Sequence, residues 1–261
     1  MKHQKIAIIG CGNLGTSILN GLISSEYYSN DSLIATKRKV SSLEKYKRDD
    51  VYITADNAEA VQQAEVLLIG LKPFKILEVL EELQPHLDND KIIVSLATGI
   101  TISQIEEVVG KGISVYRAMP NTAADVKESL TCVCANRAIS EEDEITQIFN
   151  SIGKSIVIEE GLMEAATVLG ACGIAYVLRF IRGMIQGGIE IGFNAKVATD
   201  IVTQTVKGAS ELLIQNGTHP ESEIDKVTTP RGCTIAGLNE MEHNGFSSAL
   251  IKGIVTSYEK I

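Results

Sequence analysis

The spacing of apolar positions along this chain changes near residue 160. Before that point, short runs of apolar and often β-branched residues, beginning with Ile6-Ala7-Ile8-Ile9, alternate with stretches in which apolar residues recur every three or four positions. The first pattern belongs to strands buried on both faces and the second to amphipathic helices. Strands are predicted at 6–9, 32–36, 51–53, 65–69, 91–95, 114–118, 129–135 and 155–158, and helices at 42–47, 57–63, 73–83, 102–108 and 141–151. A further helix follows the first glycine turn and runs through Leu22. Strands alternating with helices imply a largely parallel, doubly wound α/β sheet. The last two strands, joined by an acidic helix, extend one edge differently. Cys132 and Cys134 alternate with Thr131 and Val133 as one face of a strand does. Glu141-Glu142-Asp143-Glu144 after Ser140 reads as a capped, solvated helix start.

Beyond about Glu160 the strand pattern ends. Residues 162–193, 195–216 and 233–258 read as helices, with breaks at Gly217-Thr218-His219-Pro220 and Thr229-Pro230-Arg231-Gly232. His219 reads as a loop residue, and Tyr176, between Ala175 and Val177, as a packed one. Gly183, Gly187, Gly188 and Gly192 fall within one helical stretch, although glycine inside a helix costs about 1 kcal/mol relative to alanine. A tight helix crossing explains them. A crossing between subunits is expected, although an intrachain crossing has the same periodicity.

The first strand leads directly into Gly10-Cys11-Gly12-Asn13-Leu14-Gly15 and then into a helix. G-x-G-x-x-G between a strand and a helix is the arrangement of a dinucleotide site. Gly10 permits the tight turn, Gly12 lets a pyrophosphate approach the backbone, and Gly15 lets helix and strand pack closely. The N–H groups of the first helical turn then face the anion. At the end of the second strand, where NAD-binding folds place an acid, this chain has Thr36-Lys37-Arg38-Lys39. A hydroxyl followed by three basic residues suits a 2′-phosphate, so NADPH is favoured, with NADH also possible. Read alone, the same run is an ordinary solvated loop. Gly70-Leu71-Lys72-Pro73, Ser95-Leu96-Ala97-Thr98-Gly99 and Met119-Pro120-Asn121-Thr122 follow the fourth, fifth and sixth strands. The carboxyl ends of such strands bind ligands, so the three loops converge on the nicotinamide end of the site. For Lys72 alone, surface solvation is the simpler reading. Near the C-terminus, Thr229-Pro230 has the chemistry of an N-cap followed by N1, and Gly232 allows close approach of a ligand. That stretch reads either as an anion-binding helix start suited to a carboxylate or as an ordinary capped helix.

Composition narrows the function classes. The 261 residues suffice for two domains, 44% are hydrophobic and 22% charged, and the net charge is −9. That balance argues against a general nucleic-acid or membrane-surface binder, and a small anionic ligand needs a local basic patch. The apolar run after Lys2, His3 and Lys5 is too short for a signal peptide, and the apolar stretch 165–178 stops at Arg179. A soluble, cytoplasmic protein is expected. Cys11, Cys132, Cys134, Cys172 and Cys233 are scattered without a C-x-x-C pair, so neither disulfides nor a metal site is expected. Nothing in the sequence marks Cys11 as a low-pKa thiol.

Taken together, these motifs resemble the pyrroline-5-carboxylate reductase family, which makes proline by reducing a cyclic imine. The resemblance covers essentially the whole chain. It rests on Gly10 to Gly15, Lys72-Pro73, Met119-Pro120-Asn121-Thr122, Thr229 to Leu238, and Gly245-Phe246 followed by Leu250-Ile251. It implies an N-terminal Rossmann-like domain at 1–160 and an all-helical dimerisation and substrate domain at 161–261, whose helices interlock with those of a second copy in a homodimer or a larger assembly built from dimers. By analogy the active site lies between the nicotinamide pocket and the C-terminal loop. Thr229 and Thr234 match family residues that contact the substrate, Asn57 matches an asparagine near the adenosine end, and Leu71, Lys72 and Pro73 match the cofactor loop. Ala97 and Asn121 join the expected cofactor residues from the neighbouring loops, and Gly232, Cys233 and Lys72 join the two threonines at the reacting end. The implied reaction is hydride transfer from NADPH to pyrroline-5-carboxylate. The chain departs from the family pattern at Cys172, Ile174, Arg231 and Cys233.

Two other readings stay open on the sequence. A β-hydroxyacid dehydrogenase has the same domain order, but it needs a positioned lysine, and residues 162–193 contain none. A non-catalytic dinucleotide-binding relative acting through protein partners is the other.

Overall fold

The structure is a computed structural model and describes residues 4–140 and 142–261; Lys2, His3 and Glu141 lie outside the described residues. Its chain forms two compact units, one running to Ile174 and including Ile261, the other Ala175–Lys260.

The first unit is an eight-stranded sheet. Its strands are β1 (Ile6–Ile9), β2 (Leu33–Thr36), β3 (Tyr52–Thr54), β4 (Val66–Ile69), β5 (Ile92–Ser95), β6 (Ser114–Met119), β7 (Ser129–Ala135) and β8 (Gly153–Val157), in the order β3-β2-β1-β4-β5-β6-β7-β8. All neighbours are parallel except β6 and β7, which run antiparallel with Arg117 opposite Cys134. The edge predicted to differ therefore differs by one reversal, after which β8 returns parallel to β7.

The helices of this unit are α1 (Asn13–Ser25), α2 (Asn57–Gln63), α3 (Pro73–Leu83), α4 (Ile102–Val109), α5 (Glu144–Asn150) and α6 (Met163–Ala166). Central strands bury both faces, so their uninterrupted apolar runs divide residue by residue between two cores. Ile6 and Ile8 pack with Ile18, Leu19 and Leu22 of α1 on one face. Ala7 and Ile9 pack with Ile76 and Leu80 of α3 and Ile105 of α4 on the other. Burying each of these large side chains contributes about 1.5–3 kcal/mol before chain entropy is counted. Cys134 belongs to the second core and Cys132 packs against it, while Val133 lies in the first, as the predicted alternation requires.

Three local readings are corrected. Residues 42–47 do not form an α-helix; Val40–Ser42 and Glu44–Asp49 are 3-10 turns. The two core anchors there, Leu43 and Tyr46, are three residues apart, the spacing that a 3-10 turn superposes. The helix placed at 141–151 is α5, capped by Asp143 and not by Ser140; the Asp143 carboxylate accepts the Ile145 N–H at 3.0 Å. Nor is this start solvated, because Asp143 also accepts the hydroxyl of buried Tyr116 at 2.7 Å.

The first compact unit extends 14 residues past the boundary read at 160. Met163 enters the second core, Glu160 and Glu164 pair with Arg117 of β6, and Gly170 accepts from Asn121. Residues Thr167–Cys172 of this tail form a π-helical turn. The run Glu160–Glu190 is long and apolar enough, by length and composition alone, to cross a membrane. Its first two glutamates are nevertheless fixed to the sheet.

The second unit is helical: α7 (Gly173–Glu190), which starts at the end of the first unit, α8 (Ala195–Asn216), α9 (Pro220–Val227), α10 (Cys233–His243) and α11 (Phe246–Tyr258). Helix α9 was not anticipated. His219, read as a loop residue, is its N-cap, with Nδ1 accepting the Glu221 N–H at 3.2 Å ahead of Pro220 at N1. The helix read at 233–258 is two, separated at Asn244 and Gly245, the latter at φ 78°. Tyr176 joins α7 to α11 by donating to Ser257 Oγ at 2.6 Å. Among the glycines of α7, Gly188 faces Ala198 of α8, its Cβ position 3.2 Å from the alanine Cβ, whereas Gly183 and Gly187 face open space. Gly192 lies beyond the helix in the following turn, at φ 113°.

Helix α1 is held against the turn after β6 by Gly21, whose absent Cβ would fall 2.2 Å from the Ala124 carbonyl oxygen. Gly21→Ala is expected to lower the unfolding free energy by about 2 kcal/mol through overpacking. An unchanged urea midpoint would show that the two backbones separate without cost.

Candidate active site

A cleft of about 690 Å³ opens in the first unit at the carboxyl ends of its parallel strands. Each glycine of the first turn has a separate geometric job there. Gly10 sits at φ 93°, and a Cβ on it would lie 2.6 Å from Leu71 Cδ2. A Cβ on Gly15 would lie 2.9 Å from the Gly10 carbonyl oxygen and 3.2 Å from Ile8 Cγ2. Nothing comes within 4 Å of the Cβ position of Gly12, which faces the cleft. Gly12 is the N-cap of α1 and has no side chain to bond the first helical N–H groups, and no acidic residue follows in the first turn. The amides of Asn13, Leu14 and Gly15 therefore have no intrahelical partner and favour an anion.

Of the residues predicted to hold a cofactor, Gly10, Gly12, Asn13, Leu14, Thr36, Lys37, Arg38, Asn57, Leu71, Lys72, Pro73 and Ala97 line this cleft. Gly15 lies behind its wall. Thr36 is 1% exposed. Its hydroxyl accepts the Gly10 N–H at 3.1 Å and donates to Asn57 Oδ1 at 2.7 Å. The hydroxyl proposed for a phosphate is thus engaged in bracing the glycine turn, and Lys37 and Arg38 are left as the cations at that end. Cys11, inside the turn, is buried. Desolvation pushes its thiol up to about 12, against smaller opposing effects of Lys37 and the Thr36 backbone.

Asn121 does not line the cleft. Its Oδ1 accepts the Ala123 N–H at 3.0 Å and its Nδ2 donates to the Gly170 carbonyl at 3.1 Å, so its neighbour Thr122 is what reaches the cleft. Lys72 precedes α3 as its N-cap residue, with Pro73 at N1.

Thr229, Gly232, Cys233 and Thr234 belong to the second unit. The sequence reading made Thr229-Pro230 the N-cap and N1 of a helix. In the structure they form a turn, closed by the Gly232 N–H donating to the Thr229 carbonyl at 2.9 Å, and α10 begins at Cys233 with Gly232 as N-cap. The absent Cβ of Gly232 would lie 2.7 Å from Thr229 Oγ1, so the glycine is required by the turn itself. Arg231 adopts φ 61°, a left-handed conformation that glycine reaches without strain.

Sequence reasoning missed one charged cluster. Arg117 of β6 is 1% exposed. Its Nη1 lies 3.1 Å from Glu160 Oε1 and its Nη2 2.8 Å from Glu164 Oε1. The same Glu160 oxygen accepts the N–H of Ile102, the first residue of α4, at 2.7 Å. Burial alone would raise the Glu164 carboxyl, but the hydrogen bond and charge of Arg117, helped by the Gly99 backbone, hold it below its usual range. An arginine within a strand pattern, with glutamates more than forty positions away, offers no local signal. Among the described residues no group of three His, Cys, Asp or Glu side chains could hold a metal ion.

A family model described as pyrroline-5-carboxylate reductase dimerisation matches residues 160–261, and one described as NADP oxidoreductase, coenzyme F420-dependent, matches 5–99. The chain is 43% identical to pyrroline-5-carboxylate reductase 1 of Dictyostelium discoideum, covering 98% of this chain and 49% of that protein. It is 42% identical to pyrroline-5-carboxylate reductase 2 of the same organism, over 99% and 92%. Its chain therefore spans about half the length of the first relative and nearly all of the second. A crystal structure of the Plasmodium falciparum pyrroline carboxylate reductase with NADP bound superposes with a TM-score of 0.90 at 27% identity, covering 100% of this chain and 97% of that one.

Thr36→Val keeps the shape of the side chain while leaving the Gly10 N–H without its acceptor. The expected outcome is a loss of about 2 kcal/mol in urea unfolding. An unchanged midpoint would mean that the hydroxyl does not brace the turn.

Proposed function

This chain belongs to the pyrroline-5-carboxylate reductase family, and we propose that it reduces pyrroline-5-carboxylate to L-proline with NADPH. The observation that carries the cofactor half of this reading is the cleft at Gly12, an open Cβ position beside unpartnered helical amides. The amides of Asn13, Leu14 and Gly15 suit a pyrophosphate, while Lys37 and Arg38 suit a 2′-phosphate. NADPH supplies, when bound, the hydride that reduces the imine carbon. The ring nitrogen of the substrate enters protonated, so no side chain has to deliver a proton there. What the chain has to provide is orientation.

Under this reading Leu71, Lys72, Pro73 and Ala97 border the nicotinamide end. At the start of α10, the N–H groups of Cys233, Thr234 and Ile235 lack helical partners and suit the substrate carboxylate. Thr234 adds its hydroxyl, and Thr229 orients the ring from the preceding turn. No lysine base is required, in contrast to a β-hydroxyacid dehydrogenase. A cytoplasmic location accords with five free cysteines.

The dimerisation region pairs, in this proposal, with a second copy of the chain. Helices α7, α10 and α11 bury no residue within the chain. Phe180, Ile189, Ile251 and Val255 are among their exposed apolar side chains. Apolar surface of that extent is characteristic of an interface. Sedimentation at micromolar concentration is expected to give at least twice the chain mass, and a single-chain mass would overturn the pairing.

Steady-state oxidation of NADPH and NADH with pyrroline-5-carboxylate tests the activity. Saturable turnover with a higher kcat/KM for NADPH is expected. Arg38→Ala should raise the KM for NADPH roughly tenfold, the loss of one charge-assisted phosphate contact, and leave that for NADH nearly unchanged. Thr234→Ala should raise the KM for the imine substrate. NADPH binding without turnover would instead favour the non-catalytic relative.

A further inference from the structure

The loop between β5 and α4 contributes Leu96, Ala97 and Thr98 to the cleft. Its first residues are held by the sheet, with the Leu96 N–H donating to the Ile69 carbonyl at 3.1 Å and the Ala97 N–H to Ser95 Oγ at 3.3 Å. At its far end Thr101 and Gln104 form a reciprocal capping box on α4. That box satisfies the amides of Thr101 and Gln104 and leaves the N–H of Ile102 to be satisfied from elsewhere. Glu160 satisfies it, 58 positions away in the chain.

Glu160 is not free to choose its position. The guanidinium of Arg117 binds Glu160 and Glu164 together, and those two carboxylates, four residues apart, are the ion-pair partners of this buried charge. Arg117 is rigid on β6, opposite Ser95 of β5 in the sheet register. Arg117 is buried and the two glutamates are partly exposed, so loss of either carboxylate leaves the buried guanidinium with a single ion-pair partner. Segment 160–170 also receives the Asn121 side chain at the Gly170 carbonyl, and Asn121 begins the turn that carries Thr122 into the cleft. Two cleft loops thus lean on one segment.

We propose that Arg117, Glu160 and Glu164 are positioning residues, which set the 96–101 loop at the reacting end of the cleft through the Glu160 contact with the start of α4. The hydride-transfer consequence rests on the reductase reading; the loop-ordering part does not. Glu160 carries the mechanical contact, and Arg117 with Glu164 fixes where Glu160 stands. None of the three lines the cleft.

The test compares Glu160→Ala with Glu160→Gln, whose amide oxygen can still accept from Ile102. Amide hydrogen exchange of the peptide covering 96–102 is read on the full chain, with and without NADPH. Glu160→Ala is expected to exchange there about tenfold faster, the effect of losing one hydrogen bond to a charged group. Peptides covering Thr36 to Arg38 should be unchanged, and Glu160→Gln should restore most of the protection. With pyrroline-5-carboxylate, Glu160→Ala should lower kcat by ten- to a hundredfold at roughly constant NADPH affinity. The isotope effect with NADPH deuterated at C4 should rise as hydride transfer becomes limiting. Unchanged exchange at 96–102 in Glu160→Ala would overturn the proposal whether or not the enzyme turns over. Faster exchange with kcat and isotope effect unchanged would overturn its catalytic consequence. If the wild-type chain fails to reduce the imine, it is the reductase reading that falls, and the exchange result still decides whether Glu160 orders the loop.

Discussion

Three stretches of backbone meet at the first glycine turn with no room for a side chain between them. Gly10 is squeezed against Leu71, Gly15 against the Gly10 carbonyl, and Gly70 against the same oxygen, its Cβ position 3.0 Å away. This close approach draws the ends of β1 and β4 and the start of α1 into one corner of the sheet. Thr36 completes the corner from β2 by holding the Gly10 N–H. The geometry needed to bind an anion therefore belongs to the packing of the sheet and does not depend on a flexible loop. Of the glycines at this corner, Gly12 alone is left uncrowded. It is the position where a ligand can replace the missing side chain.

Behind the loop between β5 and α4 the packing is organised by charge. Arg117 lies in a strand whose neighbours are apolar, a placement that costs free energy unless the guanidinium is paired and hydrogen-bonded. The glutamates that pair with it come from the segment just after β8, and this explains why the first compact unit runs on to Ile174 when the strand pattern ends near 160. A close-packed glycine corner thus lines the cleft itself, whereas the Arg117 ion pairs lie behind it and reach its β5–α4 loop through the Glu160 contact with Ile102. They differ in how they fail. Added volume disrupts the corner, whereas removal of a single carboxylate unbalances the ion pair.

What could be read in the sequence follows from the range over which each signal acts. Helices 57–63, 73–83 and 195–216 were legible to the residue because each start is marked locally: Asp56 caps the first, Pro73 begins the second and Asn194 caps the third. The tight-turn role of Gly10 and the close-packing role of Gly15 were legible for the same reason. Helix α9 was not, since Ile224 and Val227 are its only large apolar residues and it buries none of them. The Thr229-Pro230 pair has the right chemistry for a cap, but Arg231 turns the chain to positive φ and passes that position to Gly232. Asn121 looked like a ligand because it lies at a strand end, and only the three-dimensional contact with Gly170 shows its amide occupied. Arg117 and its partners are separated by 43 and 47 positions, beyond the reach of any periodicity.

The net charge of −9 is reconciled with the proposed anionic cofactor and anionic substrate by the lining of the cleft. Its ionisable side chains are Lys37, Arg38, Lys72 and Cys11. The thiol stays protonated because burial lifts it to about 12. The cleft is therefore a local cationic surface on an acidic protein, an arrangement that draws in anions while the remaining surface repels them. An alcohol oxidation needs a positioned base, whereas a protonated imine needs only a hydride delivered in the right orientation. For that chemistry the demand on the protein is geometric.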